Sequence, residues 1–489
     1  MPTDRPRPRF AVVGGGVSGL TAARELALAG ARVEVIEGAA QLGGRIRGAE
    51  LGGVTIDIGA ESFATRGGTV AELIREIGMS GEIVRPSGLG SWVIDGPRAL
   101  PLPAAGTLGI PATPLSTATV RALGITGAVR AAIEPALPRS VGRDADSLAA
   151  LVRSRLGSRV LDRLVRPVSL GVHSADPARL GVASVPGLAA AFAERGSLIA
   201  AAKPLRDSQA AAGGAVAGLR DGMTSLIAGL ARELDRLGVT VRTGEKVRRI
   251  APAPADTAAT DTGSAWQIFD AEGATIATVD GVILAVPEGV ARRLLADDAT
   301  GTPTDRVEVV ALAIDDARLD AAPRGTGALV SRDAVGSGGA DGGAGSRRAP
   351  SQTGAAPILA KALTHVTAKW PERARDAGPG RHLIRLSYGR AGSAPETVGL
   401  DDAEVRSIAR YDASRILGID LRADAIVDLA RCTWRMGRPP GSRDSRPLSP
   451  PPGVTLAGDW VSGTGLAAIV QGARTAAAEA LAAAPGSSQ

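Results

Sequence analysis

The chain has 489 residues, a 44% hydrophobic fraction and a net charge of +6. That is enough for two or three packed domains, and too small a basic excess to imply nucleic acid. The lone Cys432 excludes a disulfide framework and favours a reducing, cytoplasmic setting, and His173, His365 and His382 stand apart without metal-ligand spacing.

The apolar run Phe10–Val13 reads as a short buried parallel strand. Glycines follow as Gly14-Gly15-Gly16-Val17-Ser18-Gly19, opening a helix over Ser18–Ala29 that Gly30 ends. A second strand, Arg32–Ile36, stops on Glu37. Gly14 permits the tight turn, Gly16 lets backbone approach a pyrophosphate, and Gly19 lets helix and strand pack closely. The helix start points free N–H groups at the phosphates. Glu37 lies 18 residues past Gly19, close to the spacing at which a carboxylate takes a ribose hydroxyl. The pattern predicts a dinucleotide site. Leu42-Gly43-Gly44-Arg45 adds a second glycine pair, and Ile56-Asp57-Ile58-Gly59-Ala60-Glu61-Ser62 could run alongside a flat ring.

Thr69–Ile77 reads as an amphipathic helix, Ser91–Leu102 as a hairpin, and the Pro-rich stretch Pro101–Pro114 as a boundary. From Thr119 to Leu205 the chain is helical and basic; Leu148–Leu164 is expected as one helix whose arginine face meets solvent, an anionic membrane or an anionic substrate. Ala211–Gly218 suggests a crossing between domains, Gly222–Leu237 a helix, and Val239–Val241 a strand. Ala251–Ser264 reads as a low-complexity hairpin excursion and Gly281–Pro287 as a buried parallel strand. Strands are expected at Val307–Ile314, Gly327–Val330, Ile358–Leu363 and His382–Tyr388, interrupted by a disordered loop at Ser337–Pro357. Asp401–Leu417 is a helix; Val454–Ala457 is a strand leading through Gly458-Asp459 and Gly463-Thr464-Gly465 into a long Ala-rich helix.

These motifs resemble flavoproteins of the amine oxidase, phytoene desaturase and protoporphyrinogen oxidase superfamily. Phe63-Ala64-Thr65-Arg66, Gly106–Pro111 and Arg166–Leu180 are similar to segments of bacterial protoporphyrinogen and coproporphyrinogen oxidases, the actinobacterial type above all. Departures are Arg166 for a Glu, His173 for a Tyr, and Cys432–Pro440 in place of a PQY…GH run. The resemblance implies an α/β and α+β chain: a Rossmann-like FAD-binding domain assembled from 1–105, 213–290 and 441–489, a helical, membrane-associated domain at 106–212, and a substrate domain on a mixed or antiparallel sheet at 291–440. It implies FAD as cofactor, held by Gly14, Gly15, Gly16, Val17, Ser18, Gly19, Glu37, Gly38, Gly44 and Arg45 at the nucleotide end. Gly59, Ala60, Glu61, Ser62, Trp434, Gly458, Asp459, Thr464, Gly465 and Leu466 are implied nearer the ring, and Val247 against adenine or as an ordinary strand residue.

The implied chemistry is oxidation of a porphyrinogen in haem biosynthesis, coproporphyrinogen III or protoporphyrinogen IX: flavin N5 takes hydride from a bridging carbon and O2 reoxidises the flavin, releasing peroxide. No catalytic side chain is required. Arg66 and Arg98 are candidates for the propionates, since a guanidinium matches a carboxylate, though both read equally as surface residues. An anionic membrane on the inner face of the cell and a downstream haem-pathway enzyme are candidate partners. Open alternatives are an amine oxidase, disfavoured by only two tyrosines and four lysines, a carotenoid desaturase, and a non-catalytic FAD- or tetrapyrrole-binding protein.

Overall fold

A computed structural model of the chain describes residues 7–103, 107–172, 176–182, 185, 187–207, 216–254, 266–296, 305–331, 356–390, 393–436 and 448–484. The strand β1 (Arg9–Val13), the helix α1 (Val17–Leu28) and the strand β2 (Arg32–Glu37) follow the sequence expectation to within a residue or two. They nucleate a five-stranded parallel sheet in the order Thr240–Thr243, β2, β1, Gly281–Leu284, Val454–Leu456. Its strands read as near-continuous apolar runs because both faces are covered. One face packs on α1, the helix Thr224–Arg236 and the helix Leu466–Ala483; the other meets Ile250, Trp266, Ile268 and Val279 of a three-stranded antiparallel sheet.

A seven-stranded sheet carries the second layer, in the order Ile426–Met436, Asp305–Asp315, Arg381–Tyr388, Ala362–His365, Gly327–Val330, Trp92–Asp95, Arg98–Pro101. All its pairings are antiparallel except that of Gly327–Val330 with Trp92–Asp95. The hairpin at 92–101 therefore joins this sheet, although it falls within the stretch 1–105 expected to bind the nucleotide. The helix Asp402–Leu417 covers one face, started by a capping box in which Asp401 accepts from Glu404 N and Glu404 accepts from Asp401 N.

Several expectations are corrected. The strand expected at Ile358–Leu363 is displaced to Ala362–His365, and the 11-residue strand Ile426–Met436 is absent from the sequence reading. Its charges at Asp428, Arg431 and Arg435 mask the alternation that marks a half-buried strand. Leu148–Leu164 is not one helix: Leu148–Leu156 stops at Gly157, whose φ is +91°, and the chain resumes at Ser158. Nor is its arginine face wholly solvated, because Arg155 is fully buried. His365 and His382 are not isolated: their rings meet at Nε2···Nδ1 3.0 Å. His173, residues 337–355 of the expected loop and most of the expected crossing at 211–218 lie outside the described residues; of that crossing, Val216–Leu219 is a strand.

Candidate functional site

The C-terminal ends of β1, β2 and Val454–Leu456 open onto one cleft, where ligands of an open parallel sheet lodge. Gly14, at φ +112°, turns the chain out of β1, and a Cβ on Gly19 would overlap the carbonyl oxygen of Gly14. Helix and strand can approach this closely only without a side chain there. Gly16 is the N-cap of α1, and no side chain caps it. A Cβ on Gly16 would meet nothing nearer than Gly44 Cα at 3.9 Å, so its free side is room for a ligand rather than for protein. Val17, Ser18 and Gly19 form the first turn behind it, with Ser18 Oγ buried and unpartnered among the described residues.

Glu37 ends β2 and accepts from Gly15 N at 2.6 Å and Ala39 N at 2.7 Å, which aims its carboxylate at the glycine turn. Val247 is brought to the same place: Glu245 N donates to Glu37 O at 3.1 Å, and Gly38 lies against Lys246. Val247 is in an irregular segment, not a strand, and is buried with Val13 and Ile36.

From the far end of the chain, Asp459 is buried and ion-paired with Arg45. Gly458, Gly463 and Gly465 have φ of +125°, +103° and +100°, so the turn into the helix Leu466–Ala483 depends on glycine. Gly465 is its N-cap, again with no side-chain cap. Two uncapped helix starts, those of α1 and of Leu466–Ala483, thus border one cleft and favour negative charge there.

The third wall is the run Gly59–Ser62. A Cβ on Gly59 would overlap Arg45 O, and Ala60 N donates to Arg45 O at 3.0 Å. Ala60 packs in the same cluster as Leu466. Trp434 reaches across from the long strand, its Nε1 donating to Ile58 O at 3.2 Å, with the Arg47 guanidinium 5.8 Å from its ring.

The structure adds residues that sequence reading missed. Glu61 is ion-paired with Lys369 and with Arg385, whose Nη1 lies 2.8 Å from Glu61 Oε2. Burial opposes ionisation of Glu61, but the charges of Lys369 and Arg385 outweigh it and hold its carboxyl below the usual range. Asp57 accepts from Met223 N with both oxygens at 2.9 Å, and burial pushes its carboxyl up to about 6 against that hydrogen bond. The only sequence sign of Arg385 is a charge inside the otherwise apolar alternation of Arg381–Tyr388.

Arg66 and Arg98 are both exposed. Arg66 follows the Gly59–Ser62 run, whereas Arg98 is on the edge strand opposite the one carrying Trp434. Six steps of the strand order separate those two edges. Among the described residues no group of three or more His, Cys, Asp or Glu could hold a metal ion. The residues fit a flavin dinucleotide: glycine cradle, ribose acid, two uncapped helix starts and an arginine shared between the chain's two ends.

Comparison with known proteins agrees with that fit. The family described as flavin containing amine oxidoreductase matches residues 17–340 and 343–483. A coproporphyrinogen III oxidase of Mycobacterium bovis is 30% identical over 482 residues, 94% of each chain, and one of Bacillus subtilis is 24% identical over 427 residues, 84% of this chain and 83% of that one. Among solved structures, a "Putative protoporphyrinogen oxidase" from Exiguobacterium sp. 255-15 superposes with a TM-score of 0.77 at 22% identity, covering 97% of this chain and 98% of that one. Cyclohexylamine oxidase from Brevibacterium oxydans IH-35A gives 0.60 at 15% identity, covering 97% and 99%. At these identities the solved structures speak for the fold.

Proposed function

The chain belongs to the flavin containing amine oxidoreductase family, and from that premise we propose that it oxidises a porphyrinogen to a porphyrin in haem biosynthesis, coproporphyrinogen III to coproporphyrin III with O2 as acceptor and peroxide as by-product. The observation that carries this reading is the 30% identity with the mycobacterial coproporphyrinogen III oxidase, which runs over 94% of both chains.

When bound, FAD supplies the hydride acceptor and the route to O2. The chain supplies position. The Gly14–Gly19 turn and the start of α1 take the pyrophosphate, Glu37 a ribose hydroxyl, and Val247 the adenine edge. Arg45, paired with Asp459, would hold the phosphates together with Gly44 and Gly458. Gly59–Ser62, Trp434 and Thr464–Leu466 would line the ring. Arg66 and Arg98 are the candidates for the propionates. We read 1–105, apart from its hairpin, with 213–290 and 441–489 as the cofactor domain, 106–212 as a helical domain and 291–440 as the substrate domain.

No helix among the described residues is long and apolar enough to cross a membrane. On the helical run that follows the kink at Gly124 in Thr117–Ala132, and just past it, Ile125, Val129 and Ile133 recur at four-residue steps and are 74%, 48% and 50% exposed. This stripe supports peripheral contact of the helical domain with a membrane surface.

The test is to supply the FAD-loaded protein with coproporphyrinogen III, protoporphyrinogen IX and a panel of amines while following porphyrin fluorescence and peroxide. Faster porphyrin formation from coproporphyrinogen III is expected. Preference for protoporphyrinogen IX would move the substrate, and turnover of amines alone would overturn the reading.

A further inference from the structure

One face of the seven-stranded sheet is fully covered: Ile384, Leu386 and Tyr388, Leu363 on the next strand, and Ala328 and Val330 beyond it pack in one core with the helix Asp402–Leu417. The residues between them alternate to the opposite face. There the register sets Val309, Ser387, Ala362, Leu329 and Val93 side by side across five strands, with Ala311, Arg385 and Thr364 in the row beside them. Both ends of this second face are covered too. Val309 and Ala311 lie in a core with Leu51 and Ile56. At the other end Val93 is buried, and Asp95 of the same strand lies 3.4 Å from Arg163 of the helical region. Between these ends Ser387, Ala362, Thr364 and Leu329 stay partly exposed, although they are on inner strands.

This open shelf adjoins the cleft. Arg385, directly across from Thr364, donates to Glu61 Oε2 and to Gly59 O, both at 2.8 Å, so the shelf begins at the Gly59–Ser62 wall. Its chemistry is narrow. Leu329 and Ala362 offer apolar contact, and the hydroxyls of Ser387 and Thr364 have no hydrogen-bond partner among the described residues. Neither row holds a carboxylate to receive an ammonium, and its one charge, on Arg385, is already engaged. Such a surface suits ring carbons that carry neutral N–H donors, because a hydroxyl oxygen accepts them. The methylene bridges of a porphyrinogen let its pyrroles tilt and turn their N–H groups out to one side. In the aromatic porphyrin the ring is flat and its N–H groups point to its own centre.

We propose that Ser387 and Thr364 determine specificity for the reduced macrocycle: seated on Leu329 and Ala362, it donates pyrrole N–H groups to the two hydroxyls, a contact that the product gives up on flattening. A site built to accept an N–H discriminates against a ligand that cannot present one. The inference rests on the porphyrinogen reading above.

The experiment measures binding to the FAD-loaded protein with its flavin reduced beforehand in the absence of oxygen, so that coproporphyrinogen III stays unoxidised. Ultrafiltration gives the dissociation constants of coproporphyrinogen III and of coproporphyrin III. Ser387→Ala and Thr364→Val each weaken coproporphyrinogen III about fivefold, the loss of one neutral hydrogen bond, and leave coproporphyrin III unmoved. Ala362→Phe fills the seat and abolishes binding of both, with flavin content at the parent value. Equal weakening of both macrocycles by the hydroxyl variants, or of neither, overturns the proposal, as does parent-like binding by Ala362→Phe. Loss of flavin from Ser387→Ala and Thr364→Val places the hydroxyls on the cofactor and overturns it as well. Should Ala362→Phe not retain flavin, Leu329→Trp fills the neighbouring position and is held to the same result. A parent chain that binds neither macrocycle overturns the porphyrinogen reading together with this inference; one that binds and oxidises coproporphyrinogen III while its variants behave otherwise overturns this inference alone.

Discussion

Arg155 and Glu134 face each other inside the helical region with no exposed side-chain surface on either, Arg155 Nε donating to Glu134 Oε1 at 2.6 Å. The pair is saturated around its rim. Glu134 also accepts from Ser197 Oγ at 2.6 Å and Leu198 N at 2.8 Å, and Arg155 donates to Pro138 O at 2.8 Å and Gly196 O at 2.7 Å. It ties the helix Leu148–Leu156 to the start of Leu198–Asp207. Removing one partner strands a charge in the interior. Arg155→Met is expected to cost about 3–5 kcal/mol, read from the urea midpoint, whereas exposed Arg153→Met should change it by less than about 0.5 kcal/mol.

Gly19→Ala and Gly59→Ala each set a methyl group on a backbone carbonyl, that of Gly14 and that of Arg45. Neither carbonyl can give way without moving a cleft wall, and overpacking of this kind costs about 1–3 kcal/mol. Both variants should purify with little flavin, judged by the ratio of flavin to protein absorbance. Gly81→Ala, whose Cβ meets nothing within 4 Å, should retain the parent ratio.

Arg45 joins the two ends of the chain through Asp459. Arg45→Met leaves the buried Asp459 carboxylate without its cation and, on the proposed reading, removes a donor to the cofactor's phosphates. FAD affinity should fall about tenfold or more, the loss of one charge-assisted hydrogen bond at about 1.5–3 kcal/mol. Equilibrium dialysis measures it.

His365 is fully buried, and burial together with His382 lowers its pKa to about 3. The unfolded chain binds a proton at about 6.5 while the folded chain refuses it until about 3. Its contribution to stability is therefore complete above about pH 6.5 and is lost as pH falls from there toward 3. Asp57 and Asp412, both raised to about 6 by burial, act in the opposite sense: the folded state binds their protons first, and their contribution is lost as pH rises through 6. The difference between parent and His365→Gln at each pH isolates the histidine. It should shrink by up to about 1.4 kcal/mol per pH unit below 6.5. A pH-independent difference would refute the buried neutral state.

The strand–helix–strand unit with its glycine turn and terminal acid was legible in the sequence because each of its residues answers a local demand. Gly14, Gly16 and Gly19 are needed by turn and helix geometry within one strand–helix–strand unit, and Glu37 is fixed by the length of that unit. The ring end was legible only in part. Gly59 and Glu61 stood out, but Lys369 and Arg385, more than 300 positions away, reach them through the register of the large sheet, which no local pattern encodes. The same limit hid the meeting of His365 and His382, set by the pairing of Ala362–His365 with Arg381–Tyr388. Ile426–Met436 escaped notice because an edge strand paired on one side tolerates the charges that break an apolar alternation.

In the parallel sheet, Val454–Leu456 docks on Gly281–Leu284, which docks on β1. The helix Leu466–Ala483 then packs against α1, over 400 positions upstream. A ribosome making this protein releases the glycine turn first and the strand that completes the cleft almost last. Until that late segment emerges, the nascent chain offers a half-built cradle with an open sheet edge. Chains cut short before position 454 should therefore pull down with holdase chaperones and stay colourless, whatever the quality of the first hundred residues.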